Sequence, residues 1–162
     1  MLSTIIFLPL LGGIIALLIP GRFKNAIRLV ALSTAVLDLL LVIALVLLYS
    51  QANLSASSSI IGASFGSTFL GSVSEQAPIV STSSFTLGYS LGVDGISLLM
   101  VLLTSLLTVV CLGASFRVER RIKQYMAFML LLECGMLGVF LATNMFLFYI
   151  FWEVMLIPAY LL

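Results

Sequence analysis

The residue best placed for chemistry is Glu153, which stands in the middle of the apolar run 144–162, NMFLFYIFWEVMLIPAYLL. A carboxyl near the centre of a membrane helix costs about 2.5 to 3.5 kcal/mol on insertion scales, so it faces protein or a wet cavity and by default takes part in function. A low-dielectric setting favours the neutral form of an acid, which makes such a group a candidate for holding and releasing a proton. Pro158 follows five positions later; it donates no backbone hydrogen bond and its ring crowds the carbonyl of Val154, so the helix is expected to bend or loosen there. In a bilayer a freed carbonyl is tolerated only beside protein, polar side chains or water, which suggests a lined cavity next to Glu153. Tyr149, Glu153 and Tyr160 fall on one helical face, placing two hydroxyls on the carboxyl's stripe as a polar lining. The competing reading is a protonated Glu bonded to a neighbouring helix, with both tyrosines as interfacial anchors.

Two further acids lie inside apolar runs. Glu133 sits on the segment 125–143 with Met126, Met129 and Met136 along its face, and is a second candidate for proton transfer. Counting about 1.5 Å per residue, Glu133 lies roughly 12 Å from the inner end of its helix and Glu153 roughly 13 Å from the outer end of the next, so in a slab about 30 Å thick they differ in depth by only a few ångströms. Two carboxylates at one level would repel if both ionised, and one proton would be retained. Asp38, with Thr34 one turn before it, reads as an acid protonated or bonded to Thr34 or a neighbouring helix.

The elements that must carry these groups are membrane helices. The 162 residues are 62% hydrophobic and 8% charged, with a mean hydropathy of +1.31. A net charge of +1 with no His argues against nucleic-acid binding, which needs a basic surface. Cys111 and Cys134 have no His or second Cys at metal-ligand spacing and read as small packing residues; no metal site is expected. The fold class is therefore all-α and polytopic, with five transmembrane helices at about 2–19, 27–49, 96–116, 125–143 and 144–162.

The first run lacks a basic region ahead of it and is expected to be a retained helix; Pro9 and Gly12-Gly13 predict a kink or a close helix contact. With the second run it forms an N-terminal helical pair, 1–49. Residues 50–95 turn abruptly to Ser, Thr and Gly without Lys or Arg, an outer loop with a weak glycosylation match at Asn53-Leu54-Ser55 and room for a short hairpin in IIGASFGSTFL and IVSTSSFTLGYSL. Residues 96–162 open a further helical unit. Asp94 suits the N-cap of the third helix, where Ser97, Thr104, Thr108, Cys111 and Ser115 make a small, mildly polar packing seam. Thr143-Asn144 leaves so short a turn that the fourth and fifth helices must be antiparallel neighbours. Basic turns at 20–28 and 117–123 are placed in the cytoplasm by the positive-inside rule, which puts the N-terminus and the 50–95 loop outside.

FYIFWEVMLIPAYLL, LGVDGISLLMVLLTSLL at 91–107 and LLLECGMLGVFLATNMFLF at 130–148 together resemble the M-type (subunit 4) antiporter-like membrane subunits of proton-pumping NADH:quinone oxidoreductase, respiratory complex I. The resemblance covers most of residues 91–162 and implies an N-terminal fragment of a larger helical fold. It implies a proton-handling role for Glu153, paired with a lysine on a later helix that is not in this sequence, and a helix break at Pro158; Glu133 lies within the family's pattern, and Asn144 stands where relatives carry an acid. No cofactor is expected on this chain: NADH, FMN, iron–sulfur clusters and quinone would belong to partner subunits, the other membrane and peripheral subunits of the complex. The implied setting is the bacterial plasma membrane, and the implied function is proton translocation coupled to quinone reduction. The alternatives are a cation/proton antiporter subunit without redox coupling, and a structural membrane anchor.

Overall fold

The computed structural model describes residues 2–20, 24–57, 75–82, 85–115 and 121–162. Their elements in chain order are α1 (Leu2–Leu18), α2 (Lys24–Ser57), β1 (Glu75–Thr82), β2 (Phe85–Leu91), α3 (Gly95–Ala114), α4 (Ile122–Leu141) and α5 (Met145–Leu161). Phe116, most of the second basic turn, Arg22 and the segment IIGASFGSTFL lie outside the described residues.

Three helices, Lys24–Gln51 within α2, α3 and α4, are long and apolar enough to cross a membrane. The 17-residue α1 and α5 are also apolar, and at about 1.5 Å per residue each reaches roughly 25 Å. Helix α2 continues past Tyr49, where the apolar run stops, to Ser57. The change of composition there marks the end of a membrane-length apolar stretch rather than of the helix, because Gln, Ala and Leu sustain helical backbone well.

Helix α4 is the centre of the bundle. Half of its apolar span is buried, against 28% for α2 and 33% for α3, and it packs on α1, α2, α3 and α5. Its small residues permit this. Gly13 of α1 comes so near that an added Cβ would lie 3.3 Å from the carbonyl oxygen of Ala127, and Gly12 packs so closely on Thr34 of α2 that the same atom would clash with it at 2.7 Å. The glycine pair thus makes the close helix contacts expected of it, while α1 remains one helix through the buried Pro9.

The expected hairpin forms from the second candidate segment. β1 and β2 pair antiparallel from Glu75↔Leu91 to Thr82↔Phe85, with a register shift between Pro78 and Val80. A two-stranded ribbon has only edges, which is where a proline without an N–H is tolerated. Its free end is tied to the turn between α4 and α5: the Gly92 N–H donates to the Leu141 carbonyl at 2.9 Å, and the Thr143 N–H and hydroxyl donate to the Ser90 carbonyl at 3.2 and 2.8 Å. Tyr89 adds a 3.3 Å hydrogen bond to Ser3 of α1. The hairpin, the start of α1 and the α4–α5 turn therefore share one end of the bundle.

Candidate functional site

Helix α5 begins at Asn144, whose side chain accepts the Phe146 N–H at 3.1 Å, so the amide caps the helix as an acid would. The buried face of α5 is Leu147, Phe151 and Pro158, turned toward α4. Glu153 lies on the opposite, exposed side. One turn before it, Tyr149 is 55% exposed and its hydroxyl donates a hydrogen bond to the Glu153 carboxylate. Tyr160, 90% exposed, is on the same outer side. Pro158 is accommodated inside the helix, which runs on to Leu161. Its ring meets the interior, and the polar stripe of Tyr149 and Glu153 is turned outward.

The other two acids are in the interior. Asp38 and Glu133 are both 0% exposed, and none of their four carboxyl oxygens has a hydrogen-bond partner. They belong together: the Asp38 carboxyl acts electrostatically on Glu133, and the buried Cys134 thiol feels both. The helix stripes explain why. On α2 one buried stripe runs through Ala31, Ala35, Asp38, Val42 and Leu45; on α4 one runs through Met126, Leu130, Glu133, Leu137 and Leu141, among other buried positions. Both follow the spacing of three and four that lines one face, and each acid occupies a place that packing alone would give to an aliphatic residue.

Hydroxyls that could have met these carboxyls are spent on their own helices. Thr34 donates to the Val30 and Ala31 carbonyls at 3.1 and 2.9 Å, so the expected bond to Asp38 is not made. On α3, Thr104 donates to Met100 at 2.7 Å, Ser105 to Leu102 at 3.1 Å and Thr108 to Thr104 at 3.0 Å. These three are buried, which makes the α3 seam a packing surface as its spacing suggests; Cys111 is exposed. Asp94 takes the N-cap of α3, and its N–H donates to the Ser97 hydroxyl at 2.7 Å.

Helices α4 and α5 run antiparallel, with Gly135 against Met155 and Gly138 against Phe151. That register sets Glu153 level with residues near 136, so Glu133 is displaced along the axis by about 5 Å at 1.5 Å per residue. The similar depth holds, but the carboxyl that Glu133 senses is Asp38. The sequence carries a signal for their burial, though not for their pairing: both acids continue the apolar stripes of their helices.

The five-helix arrangement covers 99% of the chain when superposed on part of a subunit of "Respiratory complex I from Thermus thermophilus with bound NADH", with a TM-score of 0.66 and 27% identity over 28% of that subunit. It also superposes, at TM-score 0.68 and 20% identity, on a chain of an archaeal respiratory membrane complex, the membrane-bound sulfane sulfur reductase. The protein is therefore of the antiporter-like, membrane-arm class of respiratory complexes.

Sequence comparison narrows the class. The chain is 36% identical to NADH-quinone oxidoreductase subunit M of Rhodobacter capsulatus, with 100% of this chain and 29% of the relative aligned, and 35% identical to NADH-ubiquinone oxidoreductase chain 4 of Prototheca wickerhamii, with 99% and 31% aligned. Subunit M of Rickettsia conorii is 46% identical over 77 residues. The chain belongs with these M-type (subunit 4) antiporter-like subunits of complex I. It spans less than a third of the length of the two relatives it matches throughout. No family model matches it.

Proposed function

We propose that this chain forms the opening helices of a membrane-arm subunit that translocates protons in an NADH:quinone oxidoreductase, with Glu153 as a proton-carrying group. The observation that carries the reading is the Tyr149–Glu153 pair on the outer face of α5. A carboxylate at mid-helix facing lipid is costly, so this face is one that further protein covers. The additional length of the M-type relatives would supply that cover, and with it a cationic partner for Glu153. Every Lys and Arg of this sequence lies outside the spans' central turns, at residues 22–28 and 117–123, so the counter-charge has to come from there.

In this mechanism the protein's own residues hold and release a proton at the Glu153 carboxylate, beside the Tyr149 hydroxyl. Approach of a positive group favours ionisation and its withdrawal favours protonation. The redox chemistry, with NADH, FMN, iron–sulfur clusters and quinone, is assigned to partner subunits. The test is Glu153→Gln in the full-length subunit within the assembled complex. Proton uptake coupled to quinone reduction should fall by at least tenfold with assembly intact; unchanged coupled uptake would leave the chain a structural anchor. Copurification with NADH-oxidising subunits separates this role from that of an antiporter without redox coupling.

A further inference from the structure

We infer that Asp38 and Glu133 form a second protonation site, a carboxyl pair inside the bundle that retains one proton between its two members and is bridged by an enclosed water. The pair goes beyond the role given to Glu153, and its existence does not depend on that role.

Buried polar atoms in folded proteins are hydrogen-bonded in the great majority of cases, and those without a protein partner call for water or an ion. Here four carboxyl oxygens on two fully buried residues lack one. They lie where α2 and α4 meet, between two apolar clusters: Ala31, Ala35, Met126 and Leu130 belong to one, and Val42, Leu45, Leu137 and Leu141 to the other. Aliphatic layers on both sides leave the carboxyls no other side-chain partner, and since neither hydrogen-bonds the other directly, a water between them completes the pair.

Charge then fixes the occupant. Two ionised carboxylates at one buried locus repel each other and would both lack compensation, as in carboxyl dyads where only one member ionises. The charged and titratable groups of the packed elements do not relieve this. Helix α1 carries none; α3 offers Cys111, which is exposed; α4 offers the neighbouring Cys134 thiol, while its Tyr125 and Lys123 precede Glu133 by eight and ten residues, about 12 and 15 Å along the helix. Glu153 and Tyr149 of α5 are turned outward. Lys24 and Arg28 of α2 precede Asp38 by ten residues or more, at least about 15 Å along the helix. A metal cation would need a shell of several ligands, and among the described residues no group of three or more His, Cys, Asp or Glu stands together to hold one. A proton needs only the two carboxyls and the water between them. With one proton the pair carries a single negative charge; it accepts one more proton to become neutral, and releases it without breaking any other covalent bond.

The experiment is infrared difference spectroscopy of the full-length subunit in its assembled complex, at rest, comparing wild type with Asp38→Asn, Glu133→Gln and Glu133→Asp. The wild type should show a neutral-carboxyl carbonyl band, slow to shift in heavy water, that is lost in Glu133→Gln, displaced in Asp38→Asn and retained in Glu133→Asp. A band untouched by both amide variants overturns the inference, as does a wild type with no slowly exchanging carboxyl when compared with Asp38→Asn alone. Displacement of the wild-type band by added sodium ions would overturn it in favour of a metal-cation site. Since the spectra are taken without turnover, they stand apart from the pumping assay that tests Glu153.

Discussion

A methyl group added at Gly138 would overlap the ring of Phe151, while the same methyl at Gly113 would meet nothing within 4 Å. Both residues are inside helices, where exchanging Gly for Ala gains about 1 kcal/mol of propensity, so only packing separates them. Gly138→Ala should destabilise the assembled subunit by about 1 to 3 kcal/mol through overpacking of the α4–α5 contact. Gly113→Ala should be neutral or slightly stabilising; thermal unfolding of the two variants in the same detergent or lipid checks the contrast, and equal effects would contradict the close approach of α5 to α4. Single residues are also where the sequence is least explicit. Glu153 stood out because it interrupts an apolar run, and its stripe with Tyr149 is seen in the hydrogen bond between them. Asp38 was legible as an acid in a span but not as the partner of Glu133, because helix spacing tells which face a residue occupies and not which other helix that face meets.

At the scale of elements, the joint between the hairpin and the α4–α5 turn rests on a few hydrogen bonds. Thr143 donates two of them to the Ser90 carbonyl, from its N–H and its hydroxyl, and its hydroxyl oxygen also lies 3.0 Å from the Ser90 hydroxyl. Thr143→Val keeps the shape and the backbone bond but removes the hydroxyl. The expected loss is about 1 kcal/mol, typical of a partly exposed hydrogen bond, read as faster amide hydrogen exchange at residues 90–92 while the middle of α4 is unchanged. Unaltered exchange there would mean the hydroxyl contributes nothing to docking. The hairpin itself was foreseeable from the β-favouring IVSTSSFTLGYSL, and the antiparallel α4–α5 pair from the shortness of Thr143-Asn144. Its docking was not, since a bond between residues 53 positions apart leaves no local pattern. Helix ends were legible to within a few residues except on α2, where apolarity ceased before the helix did.

At the scale of the whole molecule, the chain's two ends of bundle differ in what they gather. The start of α1, the hairpin and the α4–α5 turn are joined by hydrogen bonds at one end, and the residues that begin α2 and α4 belong to the apolar cluster at the other. Among the described residues the basic ones, Lys24, Arg28, Arg121 and Lys123, fall at that second end, which the positive-inside rule assigns to the cytoplasm. The arrangement can be tested with two cysteines in full-length protein carrying Cys111→Ser, because the buried Cys134 is shielded. Met145, 83% exposed, begins α5 at the hairpin end, and Gln124 is exposed in the first turn of α4. In sealed vesicles of known sidedness, a membrane-impermeant thiol reagent should modify Met145→Cys only from the outer face and Gln124→Cys only from the cytoplasmic face. Exchange of the two results would invert the orientation and leave the bundle intact. Modification of both from one side would mean that α4 does not cross the bilayer, and with it the buried Asp38–Glu133 pair would lose the low-dielectric setting on which proton retention depends.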